Sequence, residues 1–377
     1  MKKELRFAAS AIGTAPFAAT AMVKSALQAL EEKAPHGKVS CEPIVLMHGF
    51  AGFRELGPQR RPLLEYFTNV RHVLRTMGYQ VFAPQVAPFE DPLDRAKQWF
   101  SAIEKIRKKT GAEKVHLIGH SQGGLDARVL VAPFQGAHDT EVGPLFGLNY
   151  GEHVESLTTI ATPHFGSVIA DAIVKDIPGH KQAVAALMFS LDVITALIRG
   201  DQQDTDRASK ALTREFMLND FNKIIKDDPN VRYYAVAGDP GYRTVVHPWL
   251  RPEYKDILRR DPADGGGAND GLVTVAGSFF GNLPPEYRDQ VYPGLEKHRR
   301  DSWEILGVIE ADHIAEVGLE LRVRRPNAYD HLAFFAGLAQ FLDDAYPMKM
   351  TLRKNGHWER RPELEAMSGP VAMVGLP

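Results

Sequence analysis

Between Lys114 and Arg128 the chain reads KVHLIGHSQGGLDAR, which sets Ser121 inside Gly-His-Ser-Gln-Gly, directly after an apolar run and directly before a helix-like stretch. A serine hydroxyl attacks a carbonyl only where a base takes its proton and donors meet the developing charge, so its setting decides its chemistry. The setting here is a sharp strand-to-helix turn that strains the serine backbone and lifts Oγ above the sheet edge. Side chains at Gly119 and Gly123 would collide in such a turn, which accounts for both glycines. The helix that follows points free N–H groups and its positive end at the place where an oxyanion would form. A pentapeptide of this kind arises by chance in about one chain in ten of this length, so the remaining sequence has to supply the other parts.

The first of those parts is the segment Pro43 to Phe50, PIVLMHGF, about seventy residues before the serine. The pair is similar to that of serine hydrolases of the α/β type, where the N–H just after such a His-Gly and the N–H just after the nucleophile form the oxyanion hole. In this chain those are the amides of Phe50 and Gln122. Alone, residues 43–49 also read as a buried strand ending in a glycine turn.

The serine needs a base, and fourteen histidines compete. His48 and His120 belong to the motifs already placed, and His116 lies within a strand. A base following the last strand leaves His313 and His331. His313 follows EILGVIEAD, a strand and then a loop, so its ring can hang over the sheet edge; His331 begins the final helix, where a surface or capping role suffices. The imidazole in turn needs a carboxylate to orient it. Asp270 in GGGANDGLVTV sits in a glycine-rich loop able to bring a short acid to the histidine, and Asp239, after the strand YYAVAG, is its rival. Either aspartate can also serve only as an Asx turn.

The elements that must position these groups alternate along the chain. Apolar runs at 43–48, 80–84, 114–119, 154–161, 231–238 and 303–309 predict strands. Amphipathic stretches at 61–77, 92–110, 122–132 and 328–345 predict helices, two of them closed by Gly78 and Gly111. Helices between short buried strands imply parallel crossovers and a sheet covered on both faces. The expectation is one α/β domain over 41–347, with a helical lid inserted at 164–226, preceded by residues 1–40 and followed by a polar, loosely structured tail at 348–377. From Ser167 to Gly200 the sequence is more apolar than one buried stripe requires, which suits a lid closing in water and opening onto lipid, or a pair of buried helices.

Composition fits a globular enzyme: 377 residues, 44% hydrophobic, 24% charged, net charge −2. Nothing in this balance suggests nucleic acid. No stretch approaches the roughly twenty apolar residues of a membrane span, so no stable membrane insertion is expected. Cys41 is the only cysteine, which excludes an intramolecular disulfide. Met1-Lys2-Lys3 before an Ala-rich stretch reads as an export signal diluted by Ser10, Gly13, Thr14 and Pro16, which favours a secreted or periplasmic location over the cytoplasm.

Four segments in the same order, PIVLMHGF, GHSQGG, TIATPHFGS at 159–167 and NDGLV at 269–273, resemble the true lipases of Pseudomonas and Burkholderia type over residues 43 to about 320. The resemblance implies an α/β-hydrolase fold, with Ser121 as nucleophile, Asp270 as acid, His313 as base and the Phe50 and Gln122 amides as oxyanion hole. It also implies a structural calcium held by an aspartate two residues after the base. Here that position is Ala315, so no metal and no cofactor are expected, although Glu316 or Asp312 offers a substitute ligand. The expected reaction is acyl transfer from an aliphatic ester or acylglycerol through an acyl-enzyme, with Phe50, Phe53 and Phe165 candidates for the acyl pocket. A short-chain esterase, a polyester depolymerase or an acyltransferase would use the same groups, and a noncatalytic binding protein on the same fold would lack one of them.

Overall fold

The protein is described by a computed structural model that covers residues 42–56, 64–175, 205–241, 250–287, 298–319, 329–343, 350–352 and 354–360. The export-signal reading of residues 1–40, Cys41, and the most apolar part of the predicted lid, 176–204, lie outside these residues.

Among the described residues six parallel strands form the central sheet: β1 (Ile44–Met47), β2 (Val81–Phe82), β3 (Val115–His120), β4 (Val154–Ile160), β5 (Arg232–Gly238) and β6 (Trp303–Ile309). Their order is β6-β5-β4-β3-β1-β2, so the chain starts inside the sheet, runs to one edge, and returns to build the other. Alternation along each strand feeds two cores. Val45 and Met47 pack with Trp99, Ile103 and Leu125 on one face, while Ile44 and Leu46 pack with Val70, Leu74 and Phe335 on the other. Side chains of period two buried on both faces are what a covered parallel sheet demands. Each such residue, fully buried, stabilises the fold by about 1.5–3 kcal/mol.

The helices follow their boundary signals. Helix α1 is Val70–Thr76 and α2 is Pro92–Thr110. At the start of α2, Asp91 accepts the Leu93 and Asp94 amides and proline occupies the first position; at its end Gly111 takes φ 72°, which a glycine adopts without strain. Helix α3, Gln122–Val131, begins at the residue after Ser121 and is buried along its whole length. Short α4 (Val168–Val174) and α5 (Thr205–Lys210) follow, then α6 (Arg251–Arg259) and α7 (His331–Asp343).

Two expectations are corrected. The stretch 61–77 is not one helix: Leu64–Glu65 pairs antiparallel with Glu55–Leu56, and α1 starts only after Asn69, whose φ of 58° cannot belong to a right-handed helix. The tail is not wholly loose, because Met350–Leu352 and Trp358–Arg360 form a hairpin whose Trp358 stacks on Phe341 and donates to the Phe334 carbonyl. Of the 164–226 lid only the flanks are described: Val168 and Ile169 pack on Ile257 of α6, and Phe216, Met217 and Phe221 are fully buried in the main core. Apolar content alone cannot separate a lid from core packing.

Candidate active site

The carboxyl ends of the central strands bring the predicted residues to one edge. Ser121 takes φ 55° and ψ −130° between β3 and α3, and it is the one residue from Val115 to Ala132 that is not buried. Its amide donates to Ile160 O at 2.9 Å, and its carbonyl accepts from Thr162 Oγ1 at 2.9 Å and Gly124 N at 3.1 Å, so the strained turn is held from both sides. The glycines do what the turn requires. A Cβ at Gly119 would stand 2.6 Å from Gly124 N, one at Gly123 would strike the Met47 carbonyl, and one at Gly49 would come within 2.7 Å of Ser121 Cβ.

The loop after β1 therefore lies directly against the serine. Ala51 there has φ 54°, and Ala161 at the end of β4 has φ 46°, so unusual backbone gathers around Ser121. The Phe50 and Gln122 amides find no acceptor among the described residues, as the oxyanion-hole reading requires. His48 steadies the loop as a neutral ring. Nδ1–H donates to Gly49 O at 3.1 Å and Nε2 accepts from Val86 N–H at 3.2 Å, while burial and then the nearby Arg95 push its pKa down to about 3.

Arg95, which sequence reading passed over, is the post beneath this loop. It is fully buried on α2, donates to His48 O at 2.6 Å and Ala87 O at 2.8 Å, and pairs with Asp126 of α3 at 2.8 Å. Trp99 Nε1 donates to the same Asp126 oxygen at 3.0 Å. Removing either partner of a buried pair leaves an uncompensated charge, which costs about 3–5 kcal/mol.

Asp270 and His313 meet. His313 Nδ1 lies 2.8 Å from Asp270 Oδ2, and the His313 amide donates to Asp270 O at 3.0 Å. The other oxygen, Oδ1, accepts the Leu272 and Val273 amides at 2.8 Å and 2.7 Å, so the aspartate makes its Asx-type turn and its histidine contact at once. With Nδ1 given to Asp270, Nε2 is the nitrogen left to take a proton. No hydrogen bond joins Ser121 Oγ to His313 in this structure. The two are neighbours through His120, whose ring centroid lies 4.6 Å from that of His313; such contacts often close only around substrate. The rival Asp239 is engaged elsewhere, by Tyr254 and Tyr287 hydroxyls at 3.1 Å and 3.2 Å, and His331 Nε2 sits 2.9 Å from Thr68 O. Phe53 and Phe165 are buried in the cores, and Phe50, edge-on to Phe89, keeps partial exposure.

Glu316 and Tyr66 complete the neighbourhood. Glu316 Oε2 lies 2.9 Å from His120 Nε2 and 3.9 Å from His313 Nδ1, and burial, then the Asp270 carboxylate, raise its pKa well above the carboxylate range. Tyr66 OH lies 2.7 Å from His120 Nδ1 and accepts the Gly49 amide at 3.1 Å. Sequence reading missed Tyr66 because it fell in the stretch 61–77, and it weighed Glu316 only as a calcium ligand. The surroundings do not fit calcium. Ala315 is buried without a donor side chain, Asp312 Oδ1 is spent on the Ile314 and Ala315 amides, and the groups that converge are two imidazoles with one carboxyl already bonded to each other. Calcium prefers six to eight oxygens.

Comparison with known proteins finds similarity to lipases. The family profile "Lipase-like, C-terminal domain" matches residues 105–203. A triacylglycerol lipase of Pseudomonas fragi is 31% identical over 42% of this chain and 48% of its own length. Lipase 2 of Staphylococcus aureus is 30% identical over 78% of this chain and 53% of its own length, so the chain spans about half of each of these relatives. Lipase 1 from Pelosinus fermentans superposes with a TM-score of 0.54 at 20% identity, covering 81% of this chain and 99% of that one. The chain has the α/β-hydrolase fold, and its sequence relatives include triacylglycerol lipases.

Proposed function

We propose that the protein is a serine carboxylic-ester hydrolase that cleaves acylglycerols or other aliphatic esters, of the Pseudomonas and Burkholderia lipase type. The observation that carries this is the strained, singly exposed Ser121 beside two amides without acceptors and an Asp270–His313 pair. His313 Nε2 takes the Ser121 proton as Oγ attacks the ester carbonyl, and the oxyanion accepts the Phe50 and Gln122 N–H groups. The imidazolium, steadied by Asp270, then protonates the departing alcohol. Water enters by the same route in reverse and releases the acid.

Two readings compete for the substrate. The names of the sequence relatives favour acylglycerols, whereas Phe53 and Phe165 are occupied in the cores, which leaves less apolar surface than a long acyl chain was expected to use. Initial rates on p-nitrophenyl esters of rising chain length and on emulsified triglyceride, with and without a chelator, separate them. Activity on long-chain emulsions that a chelator leaves intact supports a calcium-independent lipase. Activity confined to short soluble esters makes it an esterase.

A further inference from the structure

We propose that Tyr66, His120 and Glu316 form a buried hydrogen-bonded tether that sets the position of the oxyanion loop, making Tyr66 and Glu316 positioning residues for the ester hydrolysis proposed above, on which this inference rests. The chain of hydrogen bonds runs without a gap from the loop to Glu316, whose Oε2 lies 3.9 Å from His313 Nδ1. The Gly49 amide donates to Tyr66 OH at 3.1 Å, Tyr66 OH meets His120 Nδ1 at 2.7 Å, and His120 Nε2 meets Glu316 Oε2 at 2.9 Å. Gly49 immediately precedes Phe50, whose amide is the expected donor, and His120 immediately precedes Ser121. One tether thus fixes the residues next to both halves of the reacting centre.

One proton arrangement satisfies Tyr66 and His120 together. Tyr66 accepts from Gly49 and so donates its own proton to His120 Nδ1. His120 Nε2 then carries its hydrogen and donates to Glu316. Burial, then the proximity of His313, keeps His120 neutral, and burial beside Asp270 keeps Glu316 protonated, so the tether adds no net charge next to the Asp270 carboxylate. The tether is sheltered on all sides: Tyr66 is 7% exposed, His120 1% and Glu316 0%. Glu316 Oε1, the oxygen outside the tether, fills the space that a side chain at position 238 would need, so Gly238 at the end of β5 is what lets the carboxyl lie there. Tyr66 is further locked between Phe53 and Phe67, with edge-to-face centroid distances of 6.0 Å and 5.2 Å. A hydroxyl placed this firmly fixes the Gly49 peptide and, through it, the direction of the next N–H. A displacement of that N–H costs transition-state binding and leaves substrate binding alone, since the ground-state carbonyl needs the donor less.

The test uses the full chain and a soluble p-nitrophenyl ester, with an alkyl boronic acid as the tetrahedral analogue. Tyr66→Phe is expected to lower kcat at least tenfold with KM within twofold of wild type, and to weaken the boronic acid by the same factor. Glu316→Leu is expected to match it, Glu316→Gln, which keeps an acceptor for His120, to recover most of the loss, and the Tyr66→Phe/Glu316→Leu double variant to lose no more than either alone. Near-UV circular dichroism establishes that each variant is folded; if Tyr66→Phe is not, the contrast between Glu316→Leu and Glu316→Gln decides. Unchanged kcat in folded Tyr66→Phe, additive losses in the double variant, or equal losses in the Leu and Gln variants overturns the tether. A wild type with no ester hydrolysis and no fluorophosphonate labelling overturns the function itself, which is a separate outcome.

Discussion

Acid should unfold this protein well before it protonates the exposed carboxylates, because four buried histidines are held neutral. Burial lowers His48 to about 3 and His116 to about 4, and pushes His120 and His164 well below the ordinary value. In the unfolded chain each titrates near 6.5, so the unfolded state binds the extra protons. This stability is full above pH 6.5 and is lost as pH falls toward the folded values. Buried carboxyls act in the opposite sense. Burial lifts Asp126 to about 6, raises Glu316 well above its usual range and raises Asp91. A carboxyl raised in the fold holds its proton there and gives it up in the unfolded chain, so it favours folding at low pH and ceases to do so as pH rises through its folded value. At pH 5 His48 and His116 together take up nearly two protons on unfolding and Asp126 gives back nearly one, a net of about one and a slope of roughly 1.4 kcal/mol per pH unit; His120 and His164 steepen it, and Glu316 and Asp91 flatten it. Urea unfolding from pH 8 to pH 5 reads this slope. His116→Gln, placed away from Ser121 with its hydrogen bond to Ser156 Oγ, should lower it by about one proton, roughly 1.4 kcal/mol per unit. A stability flat between pH 7 and pH 5, or a slope that His116→Gln leaves unchanged, would mean that these histidines are not held neutral in the fold.

Three further outcomes follow from the site. Asp270→Asn, which can present its amide instead of an acceptor to His313 Nδ1, should lower kcat by about 10⁴ while the fold persists, as measured by ester turnover beside thermal melting. Gly49→Ala should cost about 10²–10³ in kcat, because the new methyl would meet Ser121 Cβ at 2.7 Å and Tyr66 OH at 2.9 Å and push the loop off the serine; wild-type kcat in this variant would contradict the close approach. Asp126→Ala strands the Arg95 guanidinium and should destabilise by about 3–5 kcal/mol in urea titrations, whereas Asp126→Asn, able to accept from Arg95 and Trp99, should cost less.

Much of the fold was legible because its strands are short, mostly buried and separated by helices with clear ends. Pro92–Thr110 carries an Asp cap, a first-turn proline and a closing glycine, and the structure reproduces its limits. Trp303–Ile309 is likewise recovered in full. The stretch 61–77 failed because Asn69 breaks the helical path by its own backbone conformation, which periodicity does not register. Of the site, Ser121, Asp270 and His313 announced themselves by the turns around them. Tyr66, Arg95 and Asp126 did not, since each lies in a stretch whose pattern reads as ordinary helix and acts through partners 54, 47 and 31 residues away. Glu316 was named only as a substitute for the missing calcium ligand, and only the structure shows it bonded to His120.

The most direct test of the account is intact and peptide mass spectrometry after treatment with a fluorophosphonate, read together with hydrolysis of a p-nitrophenyl ester. The account predicts a single adduct on Ser121, complete loss of ester hydrolysis in step with labelling, and neither labelling nor turnover in folded Ser121→Ala. Labelling at another residue, or a Ser121→Ala protein that keeps most of its activity, would contradict it.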